Sequence, residues 1–389
     1  MTSLLTLNEN PPLSLYIHLP WCVKKCPYCD FNSHEVATAS DEEQVYVEAL
    51  ISDLETELPR IWGRTISSVF IGGGTPSLFS AESIENLMSG LRARLNIHPE
   101  IEVTMEANPG TAEAKKFKAY REAGINRLSI GIQSFNDKYL KSLGRIHNSK
   151  EALNAIGLAK SAGFENINLD LMFGLPEQKK EDCLTDLEVA VEQSPTHISW
   201  YQLTIEPNTV FYSKPPITPD DDKLFSMQEG GQSYLEKMEY KQYEISAYAK
   251  DKYVSLHNTN YWQFGDYLGI GAGAHGKITN VAEGNIARFS RHKIPKRYIE
   301  LAGSDAVITE TRKLNRNDLA LEFMMNALRL KEGVDSGLFL RRTGLPLSII
   351  EKELMQAVDS GLIEWQIDNL RPTKKGQRYL NELLEIFVK

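Results

Sequence analysis

A chain of 389 residues, 42% hydrophobic and 24% charged, is long enough for two or three domains and has an ordinary globular make-up. Its formal charge of −9 argues against nucleic acid as the main partner, and four cysteines are too few for a disulfide scaffold. No uninterrupted apolar run approaches the roughly 20 residues that span a bilayer, and the first residues lack a signal-peptide pattern, so the expected location is the reducing cytoplasm.

Between residues 13 and 204 the pattern alternates between strand and helix periods. Strands are expected at 13–17, 67–71, 101–106, 127–132, 166–172 and 197–203, with amphipathic helices at 41–58, 81–95, 112–123, 150–162 and 180–193. This rhythm predicts an α/β domain with a parallel sheet and right-handed crossovers, either open or curled into a partial barrel. Each strand ends in polar or glycine chemistry: His18, the glycines before Thr75, Glu106, Gln133, Asp170 and Gln202. Ligands of parallel α/β folds bind beyond the C-terminal strand ends. These six ends therefore aim at one mouth.

Past Thr204 the rhythm breaks into a proline-rich loop, a helix at 220–238, a segment at 243–246, the stretch His257-Asn258-Thr259-Asn260-Tyr261-Trp262 and a glycine-rich turn at 268–275. From about residue 309, helices at 318–330, 336–343 and 347–360 precede a small hairpin and a last helix at 373–387, a mainly helical, winged-helix-like module. The expected divisions are 1–205, an α+β extension at 206–308, and 309–389.

Cys22, Cys26 and Cys29 follow the first strand within eight residues. Thiolates so crowded hold a metal, and three leave one position of a four-thiolate centre vacant. Two metal readings remain: a four-iron cluster with one iron open to an outside ligand, or zinc completed by His34. Unligated thiols are the third. Cys183, alone in a helical stretch, reads as core.

The C-x3-C-x2-C spacing, with Tyr28 before the last cysteine and GGGTP at 72–76, resembles the radical S-adenosylmethionine (SAM) family. That resemblance implies a partial (β/α)6 barrel and a [4Fe–4S] cluster on Cys22, Cys26 and Cys29. In the family the open iron chelates the methionine amino and carboxylate groups of SAM, and reduction yields a 5′-deoxyadenosyl radical. Further stretches at 16–20 (YIHLP), 106–109 (EANP), 131–135 (GIQSF), 143–147 (LGRIH) and 170–176 (DLMFGLP) are similar to the HemN/HemW branch, which holds oxygen-independent coproporphyrinogen III oxidases and haem chaperones. The oxidases carry a further cysteine where this chain has Phe31, and a long extension before the motif. Both departures favour the chaperone side.

The resemblance assigns SAM contacts to Tyr16, Tyr28, Gly73, Gly74, Thr75, Glu106, Gln133, Arg145 and Asp170. The two glycines remove Cβ atoms near the methionine end; Arg145 suits a carboxylate, since a guanidinium pairs in bidentate fashion. His257, Asn258, Tyr261 and Trp262 match an H-N-x-x-Y-W haem-binding motif, with imidazole as the axial ligand. Implied partners are haem, haem-accepting proteins (membrane-associated ones included, hence a peripheral membrane location), an electron donor such as a flavodoxin, and a second copy of the chain.

Two other patterns carry less. GAGAHG at 271–276 fits G-x-G-x-x-G, but no βαβ unit with a downstream acidic residue surrounds it. The basic run 288–297 reads as solvated surface, with haem propionates or an acidic partner as the rival. Lys374, Lys375 and Arg378 leave DNA binding as a distant alternative, since fold alone is not function.

Overall fold

The computed structural model describes residues 5–36, 42–110, 114–366 and 368–388. Its centre is a twelve-stranded sheet. Six parallel neighbours run in chain order: β1 (Leu13–Leu19), β2 (Thr65–Gly73), β3 (Asn96–Ala107), β4 (Arg127–Gln133), β5 (Asn166–Phe173) and β6 (His197–Gln202). Helices Glu43–Glu57, Ala81–Arg94, Phe117–Glu122, Ser149–Ser161 and Lys180–Glu192 connect them. The helix starts expected at 41 and 112 lie outside the described residues.

The two faces of these strands differ. On β1, Leu13, Leu15, Ile17 and Leu19 are buried in the main core with Tyr46, Leu50 and Leu54 of the first helix. The alternate residues, Ser14, Tyr16 and His18, face the concave side, as do Thr104, Arg127, Asn168 and His197. There they bond to one another: Ser68 Oγ donates to Ser14 Oγ (2.8 Å), Asn168 Nδ2 to Ser129 Oγ (2.7 Å), and His197 Nδ1 meets Asn168 Oδ1 (2.5 Å). Parallel sheets ordinarily bury apolar side chains on both faces. Here the concave face is instead a network of polar groups satisfied by one another.

The expected extension joins the same sheet. β7 (Lys241–Glu244) and β8 (Ala247–Ala249) add antiparallel strands beyond β6. β9 (Asp266–Ile270) lies parallel to β1 on its other side and is followed by antiparallel β10 (His275–Asn280), β11 (Asn285–Arg291) and β12 (Ile308–Lys313). β12 thus runs across the boundary expected at 309. The two outermost strands, β7 and β12, are not paired with each other, so the barrel is partial. A buried ion network fastens the first helix to this flank. Arg291 binds Asp53 (2.7 Å) and Glu57 (3.1 Å), and Tyr298 OH donates to Asp53 (2.7 Å).

The C-terminal module has its own core around Phe323, Phe339 and Leu354. Its first helix, Arg316–Ala327, starts two residues before the expected one because Asn315 caps it in a reciprocal box with Asp318. Helices Leu338–Thr343 and Glu351–Asp359 and the hairpin Ile363–Trp365/Leu370–Pro372 follow. The single last helix expected at 373–387 is two, Lys374–Arg378 and Leu380–Glu385. Tyr379 leaves the helical region between them (φ −111°, ψ 47°), and Arg378 lies over the Phe225 ring, 3.7 Å from its centroid.

Candidate functional site

Beyond β1 the chain makes a closed loop. Trp21–Cys22 pairs with His34–Glu35 in a two-stranded parallel ladder, with His34 N–H donating to Pro20 O (2.7 Å) and Val36 N–H to Cys22 O (3.0 Å). Cys29 N–H donates to Cys26 O (3.1 Å), folding the loop so that all three thiols are half-buried and free. Burial raises the thiols of Cys22 and Cys29, while Thr75 Oγ1 donating to Cys22 Sγ (3.5 Å) works against that. Arg145 Nη1 reaches Cys26 Sγ at 3.5 Å. Among the described residues no three His, Cys, Asp or Glu side chains gather around a single-ion position. His34 is turned away, its Nε2 against Lys293 O (3.1 Å).

The loop roofs a cavity of about 160 Å³ over the strand ends, lined also by Glu106, Gln133, Arg145 and Asp170. The glycines at its edge have a reason of their own. A Cβ on Gly73 (φ +118°) would fall 2.7 Å from the His18 ring, and one on Gly74 would fall 2.5 Å from Trp21 O. They let the end of β2 pack against the cysteine loop, as well as baring backbone to the cavity. Glu106 accepts from Gly73 N–H (3.1 Å). Burial, with the neighbouring Asp170 adding to it, pushes the Glu106 carboxyl up from 4.5 to about 7. Burial also raises Asp170, against hydrogen bonds from Ser129 and Asn168. Gln133 ends β4 in the left-handed region (φ +67°) and its Oε1 accepts from Tyr201 OH (2.9 Å). Arg145 donates to Asn108 Oδ1 (2.6 Å) and Gly131 O (2.9 Å), but its buried Nε has no partner. Two carboxyls and a guanidinium in one small cavity can grip both ends of an amino-acid zwitterion.

A larger cavity, about 690 Å³, adjoins the first; Lys25 and Phe31 line both. Tyr16, expected at the SAM site, lines this second cavity instead, its hydroxyl 3.0 Å from His18 Nδ1. The H-N-x-x-Y-W stretch forms the helix Leu256–Trp262, capped by Ser255 Oγ, which accepts from Asn258 N–H (3.3 Å). Tyr261 and Trp262 line the larger cavity. His257 lies behind them, 1% exposed, with Nδ1 at 3.1 Å from Ser68 Oγ and Nε2 at 3.0 Å from Tyr261 OH. Burial, then the Arg127 charge, pushes its imidazole down to about 3.

Residues 16–190 match the Radical SAM superfamily and residues 314–379 match the HemN C-terminal domain. Over 383 residues the chain is 51% identical to the heme chaperone HemW of Haemophilus influenzae, covering 97% of this chain and 98% of that protein. The chain belongs to the HemW family of radical SAM proteins. It is also 47% identical to the heme chaperone HemW of Escherichia coli, over 97% of this chain and 98% of the relative. Among solved structures, the radical SAM enzyme coproporphyrinogen III oxidase (HemN) of Escherichia coli superposes with a TM-score of 0.80 at 22% identity, over 97% of this chain and 90% of that one. This likeness concerns the fold.

Radical SAM membership implies a [4Fe–4S] cluster and SAM. The free thiols and the orphaned Arg145 Nε fit such a pair. Several residues that support this HemW-family site were not among the expected SAM contacts. Asn108 links Thr75 Oγ1 (2.9 Å) to Arg145, and Tyr201 orients Gln133. Asn32 clamps the loop by donating to Ala272 O (2.9 Å) and Lys293 O (2.8 Å). The GAGAHG stretch is the turn between β9 and β10 that receives this clamp, and Gly273 is needed because a Cβ would meet Asn32 Nδ2 at 2.5 Å. Asn108 lies in the 106–109 stretch that carried the resemblance, and Tyr201 is the penultimate residue of β6, so strand-end position was the clue available for it.

Proposed function

We propose that this protein is a haem chaperone, which binds haem beside a cluster- and SAM-holding barrel mouth and passes it to haem-requiring proteins. One observation carries the reading: a thiol-lined cavity adjoins a larger cavity walled by aromatic rings, and Lys25 and Phe31 belong to both. The names of relatives that match along the whole chain support it. Cys22, Cys26 and Cys29 would hold the [4Fe–4S] cluster. Gly73, Gly74, Thr75, Glu106, Gln133, Arg145 and Asp170, with Tyr28 beside them, would hold SAM. When bound, the cluster supplies an open iron and an electron for SAM. The protein's own part is positional: Glu106 and Asp170 offer charge to an ammonium, Arg145 to a carboxylate, and Tyr201 fixes Gln133. In the larger cavity Tyr261 and Trp262 offer flat apolar contact to a porphyrin.

Phe31 stands where the resembling oxidases have a cysteine, and its exposed ring turns a reactive position into an apolar wall. Recipients would be respiratory haem proteins, those at the membrane included, with a flavodoxin-type protein as electron donor and a homodimer as the acting form. No helix among the described residues is long and apolar enough to cross a membrane; the proposed location is the cytoplasm with peripheral attachment. The test is anaerobic reconstitution, loading with haem, and incubation with a haem-free respiratory complex in membranes. Restored oxidase activity in the acceptor supports the reading. Absence of saturable haem binding, or conversion of coproporphyrinogen III to the divinyl product, overturns it.

A further inference from the structure

The larger cavity has the volume of a small-molecule site, about 690 Å³ against the usual range of about 300–1,000 Å³. If it seats haem, a histidine that ligates the iron must present a free ring nitrogen to the cavity. His257 has none: Ser68 and Tyr261 engage both nitrogens, and the ring is buried. His18 lines the cavity, but its Nδ1 faces Tyr16 OH and its Nε2 faces Asn32 O at 2.8 Å. His275 also lines the cavity, is solvent-exposed, and its ring makes no hydrogen bond or ion pair among the described residues.

We infer that His275, at the end of the glycine turn between β9 and β10, is the axial ligand of the bound haem iron, and that His257 is a positioning residue. The inference rests on the haem-chaperone reading and names the group that does the binding.

Three further observations point the same way. The cavity lining is rich in aromatic rings, among them Tyr261, Trp262 and Tyr267, and so suits the flat apolar face of a porphyrin. At the rim, Lys293 has no hydrogen bond or ion pair through its side chain among the described residues, which leaves its ammonium for a propionate. The turn is rigidly placed as well, since Asn32 ties Ala272 O and Lys293 O to the cysteine loop. His257 in turn holds the Tyr261 hydroxyl, and Tyr261 packs edge-on against Tyr267 with centroids 4.5 Å apart, so His257 sets the aromatic wall without reaching the metal.

The test titrates haemin into wild type, His275→Ala, His275→Gly and His257→Asn, following the Soret band and the low-temperature EPR signal of the ferric haem. His275→Ala is expected to lose the histidine-ligated spectrum and to bind at least about tenfold more weakly. Added imidazole should restore the wild-type spectrum to His275→Gly, which a merely structural role would not produce. His257→Asn should keep the Soret position and lower the unfolding midpoint. Wild-type spectra and affinity in His275→Ala, with both lost in His257→Asn, would overturn the assignment while leaving the chaperone reading in place. Failure of the wild type to bind haemin would instead overturn the reading on which the assignment rests.

Discussion

Replacing Glu106 with glutamine should stabilise the protein at alkaline pH while damaging the proposed SAM site. The folded chain holds the Glu106 proton up to about pH 7, whereas the unfolded chain releases it near 4.5. Below 4.5 both states are protonated and the residue costs nothing. Between 4.5 and about 7 the unfolded state alone ionises, so folding loses free energy as pH rises, and above 7 the loss is constant. At about 1.36 kcal/mol per pH unit the full effect is roughly 3 kcal/mol. Partial access to the cavity reduces it, giving about 1–3 kcal/mol. Glutamine removes the charge but keeps a carbonyl for Gly73 N–H, which Glu106 now accepts at 3.1 Å. Urea unfolding of the cluster-free protein, run from pH 4 to pH 8.5, should show matching midpoints for variant and wild type at pH 4 and a higher one for Glu106→Gln at pH 8. SAM affinity of the reconstituted variant should fall about tenfold or more. Equal stability of the two proteins at pH 8, or a less stable variant there, would refute the cavity electrostatics described above.

Asp53→Ala should cost about 3–5 kcal/mol in urea unfolding, because it strands the buried Arg291 guanidinium. Arg145→Lys keeps the charge but cannot reproduce the fork to Asn108 and Gly131; SAM binding followed by calorimetry should weaken about 10- to 100-fold. Gly74→Ala drives a Cβ into Trp21 O and should strain the base of the cysteine loop by about 1–3 kcal/mol, lowering the iron and sulfide retained per chain after reconstitution.

The parallel half of the sheet was legible in the sequence because its signal is repeated. Leu13, Leu15, Ile17 and Leu19 alternate with Ser14, Tyr16 and His18, and the same rhythm recurs five times. The strand-end residues Glu106, Gln133 and Asp170 could be placed from that rhythm alone, and they do line one cavity with the three cysteines. What the pattern could not carry was contact at long range. Asn32 reaches Ala272 across the chain, and Tyr16 turns to His18 and lines the larger cavity rather than the one roofed by the cysteine loop. The H-N-x-x-Y-W stretch reads as one unit along the chain, yet helical geometry divides it. Tyr261 and Trp262 face the larger cavity, and His257, one turn earlier, points into the polar barrel. Local rules likewise missed the break at Tyr379, which depends on how the last helices pack rather than on a helix-breaking residue.

The Asn32 clamp has a thermodynamic consequence. Its amide sits three residues after Cys29 and grips the backbone of Ala272 and Lys293, so the cysteine loop and the β9–β10 turn share one hinge-free scaffold. If cluster assembly orders that loop and haem binds at the turn as proposed, the ordering made for one group would serve the other. Linkage is reciprocal. Any factor by which a filled cluster favours haem on the turn would then be the factor by which haem favours a filled cluster. One carboxamide can thus make the loading of two chemically unrelated groups a single cooperative equilibrium.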